Sequence, residues 1–334
     1  MSASRKGMTL LEVMVAAGIT TIVAAMAMSV VTSGVRIARQ GEQTVNSNQA
    51  SRTAMEMLLR DLRLAGVPGG IWVASSGGTP YQINPIFTQP GTITGTDDLW
   101  MVVPKPNAMQ ANCTSPGSAA VVSVSAPHAL TVSCTAIFQV TDTLLVSNFN
   151  SAALIDGLAF PSGTSITYAQ QAVANFSSNP VKGGYQRGDL VMPVDIVRYT
   201  VRLNAAGRPE LVRQIGAINP TMTAATPFIV NVGASEQRFP DIEDLQVAFG
   251  TGTEPNLTFV SGHNVSFVPA GAPLAVRISV VGVTPRIIYN DVGTALPLGP
   301  VTVEDHVPVG PLDGYRRSVY RRRVELLNMA AVNL

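Results

Sequence analysis

From Met8 to Val31 the chain is a continuous run of apolar and small residues carrying one charge, Glu12. At ~1.5 Å per residue this run makes roughly 36 Å of helix, and about 20 apolar residues are enough to cross a hydrocarbon core. Beyond Val31 the pattern changes. Gly34 and Gly41 weaken a helix by ~1 kcal/mol each, and Gln40–Thr53 is polar, fit to face solvent or a partner chain. Met55, Leu58, Leu59 and Leu62 then fall at i, i+3, i+4 and i+7, set against Glu56, Arg60, Asp61 and Arg63. That spacing makes one apolar stripe. Gly66 and Pro68 stop it. The pattern predicts a single helix over about 9–65, lipid-like in its first half and amphipathic in its second, with the second half lying on a globular body.

No helical period returns after Gly66. Residues 67–96, rich in Gly and Pro, read as irregular. Strand candidates follow at 99–103, 120–125, 129–134, 143–148, 190–203, 210–214, 244–249, 275–283 and 318–326. They are rich in β-branched residues and bounded by Gly, Pro, Asn or Asp. Ala205-Ala206-Gly207-Arg208 between two of them is a hairpin signal. The fold class is therefore α+β: a long N-terminal helix packed on a β-rich domain, without an internal repeat.

Composition sharpens this. The 334 residues are 46% hydrophobic and only 13% charged, against ~25% charged in ordinary soluble domains. With 29 Gly and 23 Pro, the chain suits an exported, turn-rich β body better than a cytosolic enzyme. The formal net charge is +1, and no domain is basic enough to expect nucleic-acid binding. Arg5 and Lys6 precede the apolar run, which keeps the N-terminus inside. Both cysteines, Cys113 and Cys134, then lie on the far side of the membrane. Oxidising compartments favour a disulfide between them over two buried thiols. A closed loop of about 20 residues is worth on the order of 3 kcal/mol.

The junction Arg5-Lys6-Gly7 followed by Met8-Thr9-Leu10-Leu11-Glu12 resembles the class III signal of type IV prepilins. The resemblance implies that a prepilin peptidase cuts after Gly7 and that Met8 becomes the N-methylated N-terminus. It also implies that Glu12 pairs with the N-terminal amine of a neighbouring subunit. Scattered Ala residues also permit an Ala-x-Ala secretory reading, and a plain anchor with Glu12 reaching the interface is a further alternative. A carboxylate inside the membrane costs about 2.5–3.5 kcal/mol, so one placed there has a use. Further residues are similar to PilW-type minor pilins: Arg60–Gly66, Asp97–Val102, Gly188–Val191, Ile196–Arg202, Pro209–Arg213, Ile242–Gly250, Ala275–Val280 and Tyr320–Asn328. Phe249 stands where that family often has Tyr, and Leu327 where Arg is usual.

This resemblance divides the chain into a leader (1–7), a transmembrane helix half (8–35), an amphipathic half (36–66) and a periplasmic β-rich domain (67–334). It implies a minor pilin of a type IVa pilus, in the inner-membrane priming complex and then at the pilus tip. The partners implied are other minor pilins, the major pilin, a large Y-type tip adhesin, prepilin peptidase and inner-membrane lipid. A J-type pseudopilin of type II secretion shares the architecture and is the alternative, though such bodies are typically smaller.

Little suggests catalysis, a cofactor or a metal. His128, His263 and His306 are isolated, and no phosphate-binding loop or nucleophile elbow is present. Asp97-Asp98 and Asp241, Glu243 and Asp244 are acidic enough to consider for calcium, but they sit at strand starts rather than in a ligating loop. Arg187-Gly188-Asp189 reads as a turn feeding the next strand. Arg316-Arg317 and Arg321-Arg322-Arg323 form the basic cluster. On an alternating strand Arg321 and Arg323 share a face. A charged edge strand that resists pairing is one reading, and docking to an acidic partner the other.

Overall fold

The computed structural model describes residues 9–65, 71–74, 80–105, 119–125, 129–147, 152–171, 187–223, 226–230, 236–253, 256–262, 274–289, 294–304, 306 and 312–326. One helix, α1 (Leu10–Leu64), leads into the β-rich body. This is the α+β arrangement expected from the sequence. The helix is long and apolar enough to cross a membrane, and none of its apolar window is buried against the body. Its second half buries one face: Ser47, Ser51, Ala54, Met55, Leu58, Asp61 and Leu62. The apolar stripe lies where its period places it, with Leu59 at its rim. Two expectations are corrected. The stretch 40–53 does not face only solvent or a partner, because Ser47 and Ser51 are buried on the body. Asp61 does not share the exposed face with Glu56, Arg60 and Arg63, because buried Tyr199 and half-buried Arg213 hold it inward.

The described residues of the body form two sheets. Its first strands are β1 (Ile71–Ala74), β2 (Pro80–Ile83), β3 (Ile86–Pro90), β4 (Asp97–Pro104), β5 (Ala119–Ser125) and β6 (Ala129–Val132). Next come β7 (Thr143–Ser147), β8 (Ala152–Ser162), β9 (Ser165–Gln171), β10 (Leu190–Leu203), β11 (Pro209–Thr223), β12 (Thr226–Val230) and β13 (Gln237–Pro240). These build the larger sheet. β14 (Ile242–Thr253), β15 (Asn256–Ser261), β16 (Ala275–Val283) and β17 (Arg317–Glu325) form the smaller one, in the order β15-β14-β16-β17.

β10 is the spine of the larger sheet. One of its edges pairs with β7 and then β11, from Leu190↔Ser147 through Leu203↔Pro209. The other pairs with β5 and then β4, ending at Tyr199↔Leu99. Alternation along β10 divides the core. Val197, Tyr199 and Val201 pack with Leu58 and Leu62 of the helix and with Leu245, Val247, Ile278 and Val280 of the smaller sheet. Ile196, on the opposite face, joins Phe87, Trp100 and Phe228. A third apolar cluster, including Leu144, Ile155 and Ile166, fills the far end of the larger sheet.

The hairpin signal at Ala205–Arg208 joins β10 to β11. Gly207 takes φ 72° there, and Asn204 Oδ1 accepts from the N–H groups of Ala206 and Arg208 at 2.9 and 3.0 Å. Several strands lie where none was expected. β1, β2 and β3 occupy the segment read as irregular. β3 is compatible with its prolines because Pro85 precedes it and Pro90 is its last residue, so neither is asked for a ladder donor in the strand interior. β11 runs on past Gln214 to Thr223, pairing with β12 through Gly216↔Val230 to Ile218↔Phe228.

Candidate assembly segment and its seat on the body

The helix begins at a capping box. Thr9 N–H donates to Glu12 Oε2 at 2.9 Å, and Thr9 Oγ1 lies 3.1 Å from the same oxygen. Glu12 N–H in turn donates to Thr9 Oγ1 at 3.4 Å. Two of the amides that a helix start leaves without partners are thereby satisfied. Glu12 therefore has a role within its own chain, which the resemblance alone does not imply. Thr9 is the functional residue missed in the sequence. Its signal, Thr-x-x-Glu ahead of an apolar run, was legible. Glu12 Oε1 has no protein partner among the described residues and is exposed.

Further along, three attachments seat the helix. Gln40 Nε2 donates to the Tyr289 carbonyl at 3.2 Å. Ser47 Oγ donates to the Val283 carbonyl at 3.1 Å, and Ser51 lies directly over Gly282, where any Cβ would overlap its Oγ. Small residues on both elements let helix and strand approach closely. At the helix end, Asp61 Oδ2 accepts from Tyr199 Oη at 2.8 Å and from Arg213 Nε at 2.7 Å. The Asp61 side chain is 1% exposed. Burial, with the Asp61 carboxylate beside it, pushes the Tyr199 phenol well above its ordinary range. This carboxylate bonds α1 to β10 and β11 at once.

The remaining candidates resolve into separate contacts. Gly7, Met8 and Cys113 lie outside the described residues, as do His128 and His263. Cys134 follows β6, and no described cysteine is a free thiol. The acidic residues considered for calcium are each committed elsewhere. Asp97 accepts from the Val247 amide at 2.8 Å, and Asp98 pairs with Arg198, whose guanidinium lies 5.4 Å over the Trp100 ring. Asp241 pairs with Arg208, Glu243 with Arg317, and Asp244 with Nδ1 of His306 at 2.7 Å. Burial pushes Asp98, Glu243 and Asp244 above the usual carboxylate range in spite of these partners. Among the described residues no group of three or more His, Cys, Asp or Glu is arranged to hold a metal.

Arg187-Gly188-Asp189 forms the turn into β10, with Gly188 at φ 103°. The basic cluster lies on β17, an edge strand of the smaller sheet, apart from Arg316, which immediately precedes it. Arg317 is buried between Glu243 and Asp313. Arg321 reaches Ser279 and Glu304, while Arg322 is exposed.

Residues 2–28 match the model of the prokaryotic N-terminal methylation motif. No curated protein and no solved structure matches the chain. The motif, the long apolar helix and the β-rich body behind it support a type IV pilin-like protein anchored in a membrane by a single helix.

Proposed function

We propose that the chain is a minor pilin of a type IVa pilus. It joins other minor pilins in an inner-membrane priming complex, and ends with them at the pilus tip beneath a large adhesin. Its role is structural rather than catalytic. The observation that carries this reading is the methylation motif running directly into a helix whose first half is bare and whose second half is bonded to a large β body. A bare apolar half is what lipid first, and neighbouring subunits later, must cover. The absence of a free thiol among the described cysteines supports a Cys113–Cys134 bond in an oxidising compartment.

In this reading the peptidase cuts after Gly7, and Glu12 serves twice. It caps its own helix through Oε2, and its Oε1 meets the amine of Met8 on a neighbour. Replacement by Gln preserves an acceptor for the Thr9 amide and removes the charge, so it separates the two roles. N-terminal sequencing of the mature chain is expected to begin at methylated Met8. After crosslinking in membranes, Glu12→Gln is expected to be processed and inserted normally but recovered with fewer minor pilins. Recovery at the wild-type level, or a mature start other than Met8, refutes the reading.

A further inference from the structure

A cleft of about 790 Å³ opens between α1 and the loop that follows β16. The helix contributes Val35, Arg36 and Arg39 to it, and the body contributes Arg286, Tyr289 and Tyr315. None of the three guanidinium groups has an ion pair or hydrogen bond among the described residues, and no carboxylate lines the cleft there. By contrast, six arginines elsewhere on the body, Arg198, Arg202, Arg208, Arg213, Arg277 and Arg317, each pair with an acid. Three guanidinium groups without a counter-charge lining one cleft favour an anion there.

The height of the cleft identifies the anion. With Leu10 at one edge of a ~30 Å hydrocarbon core, the other edge falls about 20 residues on, near Val30. Arg36 and Arg39 then stand roughly 9–14 Å beyond that edge. Their long side chains reach back to the headgroup layer, where Tyr289 and Tyr315 match the aromatic residues that favour this interface. Gln40 fixes the cleft wall by its bond to the Tyr289 carbonyl. We propose that this cleft binds the phosphate headgroup of an anionic phospholipid of the leaflet on the body's side, holding the body at a set height and rotation over the membrane. The proposal rests on the membrane-anchor reading.

The test uses the full-length chain in detergent with phosphatidylglycerol and phosphatidylcholine supplied equally. Native mass spectrometry counts the lipid retained. Wild type is expected to prefer phosphatidylglycerol. Arg36→Gln/Arg39→Gln/Arg286→Gln is expected to lose at least about tenfold of that preference, since each basic residue at a membrane surface contributes severalfold. Arg52→Gln/Arg60→Gln/Arg63→Gln removes the same charge from exposed positions farther along the helix and is expected to keep the wild-type preference. Equal retention of the two lipids by wild type, or the same preference in all three proteins, overturns the proposal. So does displacement of phosphatidylglycerol by inorganic phosphate, which would mark a free-anion site instead. Carbonate extraction of native membranes reads the anchor separately. A released chain rejects the membrane reading itself, while a retained chain without lipid preference rejects only the cleft. A thermal transition in Trp fluorescence at the wild-type midpoint checks that the triple variants are folded.

Discussion

Asp61 is the residue whose loss should do the most damage for the fewest atoms. Its carboxylate sits under the helix end with a phenol at 2.8 Å and a guanidinium at 2.7 Å, both on Oδ2. Asp61→Ala leaves the half-buried Arg213 without its hydrogen-bonded counter-charge and Tyr199 Oη without an acceptor. Breaking a buried pair from one side costs roughly 3–5 kcal/mol. Tyr199→Phe removes one hydrogen bond to a charged group and should cost about 1.5–3 kcal/mol. For a body of this size each kcal/mol moves the midpoint by about 2–4 °C, so Asp61→Ala should lower it by roughly 6–20 °C. Thermal melts of the full chain in detergent, followed by Trp fluorescence, measure this, because Trp100 is buried in the body. The same cycle with Arg213→Met tests the coupling. Arg213→Met/Asp61→Ala should cost less than the sum of the singles, since it removes the charge that either single leaves stranded. Additivity to within about 0.5 kcal/mol would show that the two side chains do not act as a pair.

Three further outcomes follow from neighbouring features. Gly282→Ala places a methyl group against Ser51 Oγ and should destabilise by about 1–3 kcal/mol through overpacking. Adding Ser51→Ala should recover part of that, and no recovery would put the close helix–strand contact in question. Glu236 is held down to about 2 by hydrogen bonds, first from Arg202 and then from Gln214. A depressed carboxylate contributes stability above its unfolded value and loses it as pH falls through the folded one. Wild type should therefore lose stability relative to Glu236→Gln between about pH 4.5 and 2, measured by urea melts at a series of pH values. Cys113 and Cys134 should be joined, so alkylation of the native unreduced chain should find no thiol, and two labelled cysteines would refute the bond; reduction should lower stability by about 3 kcal/mol while α1 persists.

The elements legible in the sequence are those whose burial rests on strong local pattern. α1 is set by its apolar run and stripe. β10 and β16 appear with the ends expected, because both are long, rich in Val and Ile and bounded by turn residues. β8 was missed because Ala, Gly and Asp dilute its pattern and Gly157 breaks the alternation with φ 66°, and β9 because Ser, Ala and Gln dilute it. β3 was hidden by its flanking prolines. The seat of the helix was illegible for a different reason. Ser47, Ser51 and Asp61 read as solvent-facing by composition, and Asp61 is buried only because of partners 138 and 152 residues away. No local window holds that information. The capping box, by contrast, lay within four consecutive residues, and the charge of Glu12 drew the reading away from its geometry.

The nakedness of the helix from Leu10 to Arg39 has a consequence for energetics of extraction. In the proposed pilus this segment leaves lipid and enters a bundle of like segments. Acyl chains and aliphatic side chains are near-equivalent surroundings, so the hydrophobic effect favours neither end of that transfer. The direction must come from terms that distinguish the two phases: close packing of small residues and the charge of Glu12. Assembly is then a partition between two oils, in which one carboxylate and a few small residues outweigh the larger apolar neighbours because they tell the oils apart.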